Sequence, residues 1–201
     1  MSKIAIVGLG NPGSDYANTR HNAGFWMLDE LSLRNGCQWK ESPRFHSFTT
    51  ILREWARPAL LIKPLTFVNE SGSYIKPLLK YHGCDTEDMI VIYDDVAFEP
   101  GRFKISTDGG DGGHKGIKDI IGKIGPCFVR FRLGIGKKSA QTSMSAHVLG
   151  KLSTREQVMM KDNFDFFAEA LQRIVDKGAT HAMNLSNKRK KTTNGQQQEK
   201  L

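Results

Sequence analysis

The segment 4–24 constrains this chain more than any other stretch of its 201 residues. It reads IAIVGLGNPGSDYANTRHNAG, in which the apolar run 4–7 is followed at once by glycine-rich sequence. Such a run predicts a buried strand, and glycines directly after it allow a sharp turn and the close approach of a ligand. The polar stretch that follows ends near His21, and histidine is the side chain best suited to exchanging protons near neutral pH. The segment therefore predicts that Asn11 and His21 share a crevice at the carboxyl edge of an open α/β sheet.

The spacing of the first three glycines also matches the dinucleotide fingerprint of nucleotide-binding oxidoreductases. That fingerprint requires a helix beginning near the third glycine and an acidic residue at the end of a second strand, about 20 residues further on. Here no apolar helical stripe begins before Phe25, and the acidic residues at that distance, Asp29 and Glu30, fall within a predicted helix. An oxidoreductase with a nicotinamide or flavin cofactor is therefore only a remote alternative.

Length and composition indicate a soluble globular protein. The chain contains 39% hydrophobic residues, has no apolar run long enough to cross a membrane, and begins with strand sequence rather than an export signal. Its three cysteines are isolated from one another, which favours neither a disulfide framework nor a zinc site. We expect a cytoplasmic protein without membrane attachment.

The chain is basic, with 29 lysines and arginines against 21 acidic residues and a net charge of +8. Half of this excess, +4, falls after Ser186, where four lysines and one arginine face a single glutamate. The other +4 belongs to the body of the chain. A basic body favours a polyanionic partner such as nucleic acid, because neutralising phosphates gives affinity that does not depend on sequence.

Apolar periodicity predicts strands and helices in alternation. The clearest strand is MIVIY at 89–93, which ends in two aspartates. Other strands are predicted at 4–7, 47–52, 59–62, 102–106 and 128–135, and helices at 23–35, 69–82, 116–124 and 154–177. This alternation predicts a single α/β domain over residues 1–186, with a mixed, largely parallel twisted sheet flanked by helices on both faces. Residues 187–201 are predicted to form a basic, disordered tail.

Several short motifs occur in a fixed order along this predicted domain. They are GNPG at 10–13, TRHNAG at 19–24, TFVNESG at 66–72, GGDGGHKGIKDI at 109–120 and FRLGIG at 131–136. Together they resemble the motifs of bacterial-type peptidyl-tRNA hydrolases, over about residues 3 to 184. The resemblance implies a monomeric enzyme that hydrolyses the ester between a peptide and the ribose at the 3′ end of tRNA. It implies no metal and no cofactor, with peptidyl-tRNA as the partner.

The resemblance also assigns the catalytic residues. It implies that His21 is the general base that activates water, and that Asp94 accepts a hydrogen bond from its ring. The chemistry is reasonable, because an ester is an activated acyl group that a positioned water and a base can cleave without a covalent nucleophile. A carboxylate on the far ring nitrogen fixes the tautomer and stabilises the imidazolium as it forms.

Substrate contacts follow from the same resemblance. It implies that Asn11 distinguishes peptidyl-tRNA from unblocked aminoacyl-tRNA, and that Tyr16, Phe67 and Asn69 contact the substrate. Asn69 is suited to orienting the scissile carbonyl or the water. From the sequence alone, Asn69 is also compatible with capping a helix, and the two aromatic residues with packing in the core.

Two residues depart from the family pattern. Val68 stands where the family usually has methionine, and Lys115 stands where it usually has asparagine. An amide both donates and accepts hydrogen bonds, whereas the lysine ammonium only donates. We expect Lys115 to bind substrate by donating to the ester oxyanion or to the terminal phosphate. The departure also keeps open the alternative of a non-catalytic RNA-binding relative with the same fold.

Basic side chains around the glycine-rich motif are the candidates for binding tRNA phosphates. Each such contact would release counterions and so add to affinity. The candidates are Lys104, Lys118, Lys123, Arg130 and Arg132.

Overall fold

The structure is a computed structural model that describes residues 3–187. Its strands are β1 (Ile4–Gly8), β2 (Lys40–Ser42), β3 (Ser47–Leu52), β4 (Ala59–Pro64), β5 (Met89–Asp95), β6 (Phe103–Ser106) and β7 (Val129–Gly134). They form one sheet in the order β2-β3-β4-β1-β5-β7-β6. The central strands β4, β1, β5 and β7 run parallel, and the outer strands pair antiparallel. The prediction of a single domain with a mixed, largely parallel sheet is confirmed.

Helices lie on both faces of this sheet, as predicted. They are α1 (Ala23–Arg34), α2 (Ile75–His82), α3 (Lys115–Ile124), α4 (Met144–Val148), α5 (Thr154–Asp162), α6 (Phe164–Lys177) and α7 (Ala179–Ser186). One core cluster packs α1, α5, α6 and α7 on the sheet, and a second packs α2 and α3 on the opposite face. Successive side chains of β1 alternate between the two clusters, which explains its unbroken apolar run.

Two of the predicted helices differ from the structure. The helix predicted at 69–82 begins only at Ile75. The chain first forms a 3-10 turn at Val68–Glu70, and the residues after this turn are hydrogen bonded to α3. There the backbone N–H of Gly72 donates to Asp119 Oδ2 at 2.8 Å. The single helix predicted at 154–177 is also wrong. It is interrupted at Asn163, whose Nδ2 donates to the carbonyl of Met159 at 2.8 Å and so ends α5.

The carboxyl ends of the parallel strands open towards one edge, and the packing of α1 brings His21 to that edge. A Cβ on Gly24, the second residue of α1, would lie only 2.4 Å from the backbone oxygen of Ile92. Glycine at this position therefore allows α1 to begin directly against β5. The 3-10 turn Arg20–Asn22, which precedes α1, consequently lies beside the end of β5.

The last described residue, Asn187, is bound to the edge of the sheet. The Asn187 side chain forms two hydrogen bonds with the backbone of Ile105 in the edge strand β6, at 3.0 and 2.9 Å. Residues 188–201, which make up the rest of the predicted tail, lie outside the described residues. Among residues 3–187, none of the helices has the length and apolar character needed to traverse a bilayer.

Candidate active site

A cleft of about 680 Å³ opens at the carboxyl edge of the sheet. Its walls come from the loop after β1, the turn before α2, the end of β5, the glycine-rich loop before α3, and α4. Nine of the twelve sequence-predicted site residues line it: Asn11, Tyr16, His21, Phe67, Asn69, Asp94, Lys115, Arg130 and Arg132. The three lysines Lys104, Lys118 and Lys123 lie outside the cleft.

The predicted base and its carboxylate partner are in direct contact. His21 Nδ1 lies 2.7 Å from Asp94 Oδ1, and the Asp94 side chain is almost fully buried. Because an ionised carboxylate only accepts hydrogen bonds, Nδ1 carries the proton and Nε2 of His21 is the basic nitrogen. The pair therefore has the tautomer that general base catalysis requires.

His114 is a second histidine on the same carboxylate, and the sequence analysis missed it. Its Nε2 lies 3.1 Å from Asp94 Oδ1, while its Nδ1 accepts a hydrogen bond from the backbone N–H of Ile117 at 3.2 Å. Because Nδ1 is an acceptor, Nε2 carries the proton and donates to Asp94. His114 thus caps α3 and at the same time ties that helix to the end of β5. The only sequence signal for it was its place in the glycine-rich motif.

The electrostatics of Asp94 follow from these contacts. Burial by itself disfavours the charged carboxylate, but the electrostatic attraction of His114 and His21 and their hydrogen bonds to it outweigh this effect. They hold the pKa of Asp94 well below its usual range. The ring of Tyr93 packs edge-on against His114 with centroids 5.0 Å apart, and burial raises the pKa of Tyr93 to about 12. Asp94 is therefore ionised and Tyr93 neutral at physiological pH.

The same three side chains place potential metal ligands close together. The ligand atoms of His21, Asp94 and His114 all lie within 4.8 Å of one another. Coordination through Nε2 of His114 would require a proton on Nδ1, where the N–H of Ile117 already donates. Metal binding would therefore break the cap of α3. This donor set fits a network of hydrogen bonds for proton transfer better than a metal ion.

Asn11 is held so that one amide atom is left for a ligand. Its Oδ1 accepts from the backbone N–H of Val68 at 2.9 Å, which fixes its Nδ2 as the other atom. Its main chain exchanges two hydrogen bonds of 2.9 Å with the side chain of Asn22, a buried residue whose role was not predicted. Within residues 3–187, Asn11 Nδ2 has no hydrogen-bond acceptor. This N–H is available as a donor at the cleft.

Two aromatic rings and an amide also line the cleft. Tyr16 and Phe67 meet edge to face, with centroids 6.2 Å apart, and Phe67 is 52% exposed. This exposure argues against the alternative that Phe67 is a core residue. Asn69 is exposed at the cleft and makes no capping hydrogen bond to α2. Val68 is buried, and the absence of a side chain on Gly116 gives it room.

The structure does not present Arg130 to a phosphate. The side chain is buried, and it donates to the carbonyls of Gly109 at 2.7 Å and of Pro126 and Phe128 at 3.2 Å. Arg130 therefore organises the base of the glycine-rich loop. The tRNA contact expected from its charge does not fit this geometry, because its guanidinium is already engaged inside the protein.

The other basic candidates differ in how free their charges are. Arg132 Nε lies 2.5 Å from Asp95 Oδ2 at the cleft, and Lys123 Nζ lies 2.8 Å from Asp119 on α3. Lys104 and Lys118 are exposed and form no ion pair with a residue of the described range.

Lys115 is the first residue of α3 and lies exposed at the cleft. No acidic side chain among residues 3–187 pairs with its ammonium group. A cation at the N-terminus of a helix interacts unfavourably with the helix dipole. The charge of Lys115 therefore does not stabilise the fold at this position.

Comparisons with known proteins agree with one another. A sequence model of the family described as peptidyl-tRNA hydrolase matches residues 5–194. The peptidyl-tRNA hydrolase of Acinetobacter baylyi is 40% identical over 188 residues, which cover 93% of this chain and 97% of that protein. The peptidyl-tRNA hydrolase of Yersinia pestis is 38% identical over 187 residues, which cover 92% and 95%.

A solved structure shows the same fold. The crystal structure of peptidyl-tRNA hydrolase from Acinetobacter baumannii superposes with a TM-score of 0.86 at 38% identity, covering 92% of this chain and 95% of that chain. The similarity thus extends over almost all of both chains in sequence and in structure. This chain belongs to the peptidyl-tRNA hydrolase family.

Proposed function

We propose that this protein hydrolyses the ester bond between the peptide and the 3′ ribose of peptidyl-tRNA, which recycles tRNA from stalled or aborted translation. The observation that carries the proposal is the arrangement of His21, Asp94 and His114 in the cleft. One buried carboxylate orients the base, and a second histidine orients the carboxylate. Family membership supplies the substrate class.

In this mechanism, Nε2 of His21 removes a proton from a water molecule as that water attacks the ester carbonyl. Asp94 stays ionised and stabilises the imidazolium that forms. The proton then passes from Nε2 to the departing 3′ oxygen of the ribose. Because His114 holds the other side of the Asp94 oxygen, the carboxylate cannot rotate away as the charge on His21 changes.

The tetrahedral intermediate carries negative charge on the former carbonyl oxygen, and the cleft offers donors for it. We assign this role to the Nδ2 groups of Asn11 and Asn69 and to the ammonium of Lys115. Loss of one such donor typically costs about 3 kcal/mol of transition-state stabilisation. The rings of Tyr16 and Phe67, which line the cleft, form an apolar wall for the substrate.

The tRNA body requires a basic surface. We assign phosphate contacts to Lys104 and Lys118, with Arg132 and Lys123 as weaker candidates because Asp95 and Asp119 already pair with them. The residues proposed for the site all belong to one chain. We also propose that the enzyme is a monomer, since the proposed chemistry needs no residue from a second copy, and that it acts without a cofactor in the cytoplasm, where peptidyl-tRNA is made.

The deciding experiment is the release of free tRNA from N-acetyl-aminoacyl-tRNA in the presence of EDTA. We expect turnover by the parent and its loss in His21→Ala, whereas His181→Ala, an exposed histidine on α7, should match the parent. A parent that binds N-acetyl-aminoacyl-tRNA without hydrolysing its ester would instead support the alternative of a non-catalytic RNA-binding relative. The observation that favours that alternative is the lysine at position 115, where the family usually has asparagine.

A further inference from the structure

The turn that carries His21 is anchored on both sides. Asn22, which follows His21, is hydrogen bonded to the main chain of Asn11 in the loop after β1. Arg20, which precedes His21, is bound instead to the segment between α4 and α5 and to the first turn of α5. The position of the base along the cleft therefore depends on two separate parts of the fold.

Arg20 makes two hydrogen bonds to that segment and two to Glu156, in the first turn of α5. Its backbone N–H donates to the carbonyl of Gly150 at 2.9 Å, and its Nη1 donates to the carbonyl of Lys151 at 2.7 Å. Its Nη2 contacts both carboxylate oxygens of Glu156, at 3.1 and 2.8 Å. A β-bridge between Thr19 and Lys151 adds a further link.

Glu156 is also held by contacts within its own helix, independently of Arg20. Its Oε2 accepts from the backbone N–H of Ser153 at 2.7 Å, and Ser153 Oγ accepts from the backbone N–H of Glu156 at 3.3 Å. This capping box holds the first turn of α5 and leaves the carboxylate little freedom to move. Both partners are largely shielded, with side-chain exposures of 15% for Arg20 and 23% for Glu156. Such a pair is far more rigid than an ion pair on open surface.

We infer that Arg20 and Glu156 are positioning residues for His21: their ion pair sets where the base nitrogen stands relative to the scissile ester. The hydrogen bond to Asp94 fixes the direction of the imidazole ring, but the place of the ring follows from the main chain of the turn. A misplacement of about 1 Å can cost about 10²-fold in rate. This inference rests on the proposed hydrolysis.

The test compares Glu156→Gln with the parent in kcat, KM and thermal midpoint on N-acetyl-aminoacyl-tRNA. We expect kcat to fall about 10-fold, well inside the range known for misplaced groups, with KM changed less than twofold. The matched control is Glu169→Gln, which breaks an exposed ion pair with Arg173 on α6 and should leave kcat and KM unchanged. The Glu156→Gln variant retains the positive charge of Arg20. If Arg20 acted only by contacting tRNA directly, the kcat of this variant would therefore equal that of the parent.

A second readout is nuclear magnetic resonance of the His21 imidazole nitrogens. We expect the Nδ1 proton of His21 to exchange with water faster in Glu156→Gln than in the parent, because the ring is held less firmly on Asp94. If Glu156→Gln does not fold, Arg20→Lys and Arg20→Gln replace it. Lysine keeps the charge and one hydrogen bond, so its kcat should lie between those of the parent and Arg20→Gln.

Two results would overturn the inference. One is an unchanged kcat per folded molecule with a lowered thermal midpoint, which would make the pair purely structural. The other is a raised KM at unchanged kcat, which would make it a substrate contact. A parent without hydrolase activity would refute the proposed function instead, and the proton exchange of His21 would still decide whether the pair positions the ring.

Discussion

The Nε2 of His114 lies 3.1 Å from Asp94 Oδ1, the same oxygen that accepts the hydrogen bond from His21. Two donors on one oxygen hold the carboxylate in one orientation from two sides. Because the other nitrogen of His114 caps α3, the start of that helix and the base are linked through Asp94. Lys115 and the glycine-rich loop adjoin this link, so the residues proposed to bind substrate are connected to the proposed base through His114 and Asp94.

We predict that His21→Ala lowers kcat by at least about 10²-fold, the lower end expected for loss of a general base. Binding of tRNA should be largely retained, since the substitution removes no positive charge assigned to phosphate contact. Asp94→Asn should also lower kcat, but by a smaller factor, because the imidazole of His21 is still present. Single-turnover hydrolysis and tRNA binding, measured separately, check this. Full activity of His21→Ala would contradict the mechanism.

Two substitutions of His114 separate its two contacts. His114→Ala should lower kcat and also lower the free energy of unfolding by about 1 kcal/mol, because α3 loses its cap. His114→Asn restores a capping side chain that is too short to reach Asp94, so its stability should recover while its kcat stays low. Denaturant unfolding and kcat of both variants test this prediction. Recovery of kcat along with stability in His114→Asn would show that the contact with Asp94 is dispensable.

The sheet, its edge and most of the cleft could be predicted from the sequence because their signals are local. An apolar run such as 89–93 specifies a buried strand by itself, and the side chains after such strands necessarily meet at the carboxyl edge. The resemblance to a family then assigned His21 and Asp94 their roles. Their contact over 73 residues of sequence was a consequence of both inferences together.

The rest depends on contacts that carry no local pattern. Arg20 and Glu156 are 136 positions apart, and no local sequence pattern around either residue indicates that the two side chains pair. The charge of Arg130 suggested a nucleic-acid contact, whereas inside the fold its two terminal nitrogens donate to backbone carbonyls. The break at Asn163 was missed because apolar periodicity continues through it, whereas the hydrogen bonds of Asn163 to Met159 and Lys161 that accompany the break carry no periodic signal.

The rate at limiting substrate should fall steeply with salt, since each phosphate contact releases counterions. We predict that Arg132→Gln reduces the slope of log(kcat/KM) against log[salt] by about 1, the change expected for one lost phosphate contact. Arg130→Gln should leave this slope unchanged and instead lower the free energy of unfolding by about 1–3 kcal/mol, because buried acceptors lose their donor. Identical slopes for Arg132→Gln and the parent would remove Arg132 from the tRNA interface.

The pH dependence of stability should report on Glu156. Burial opposes its ionisation, but hydrogen bonds from Ser153 and Arg20 outweigh this effect and lower its pKa. A carboxylate with a lowered folded-state pKa adds stability above its unfolded pKa, and this addition is lost as the pH falls. Glu156→Gln should therefore be less stable than the parent at pH 7, and the difference should shrink as the pH falls below the ordinary pKa of glutamate, about 4.3. Chemical denaturation at pH values above and below this pKa is the measurement. A constant difference would show that the ionised form contributes nothing.

Lys115 presents the sharpest choice, because its position at the start of α3 is electrostatically unfavourable for the fold. If its ammonium donates to the oxyanion or the terminal phosphate, Lys115→Ala should lose about 2 kcal/mol, or about 30-fold in kcat/KM. Lys115→Asn should then be tolerated, because an amide restores a donor. If lysine instead impairs the site, Lys115→Asn should exceed the parent in kcat. Both variants are compared at one pH, and a Lys115→Ala variant equal to the parent would leave Lys115 as a solvated residue without a role in the site.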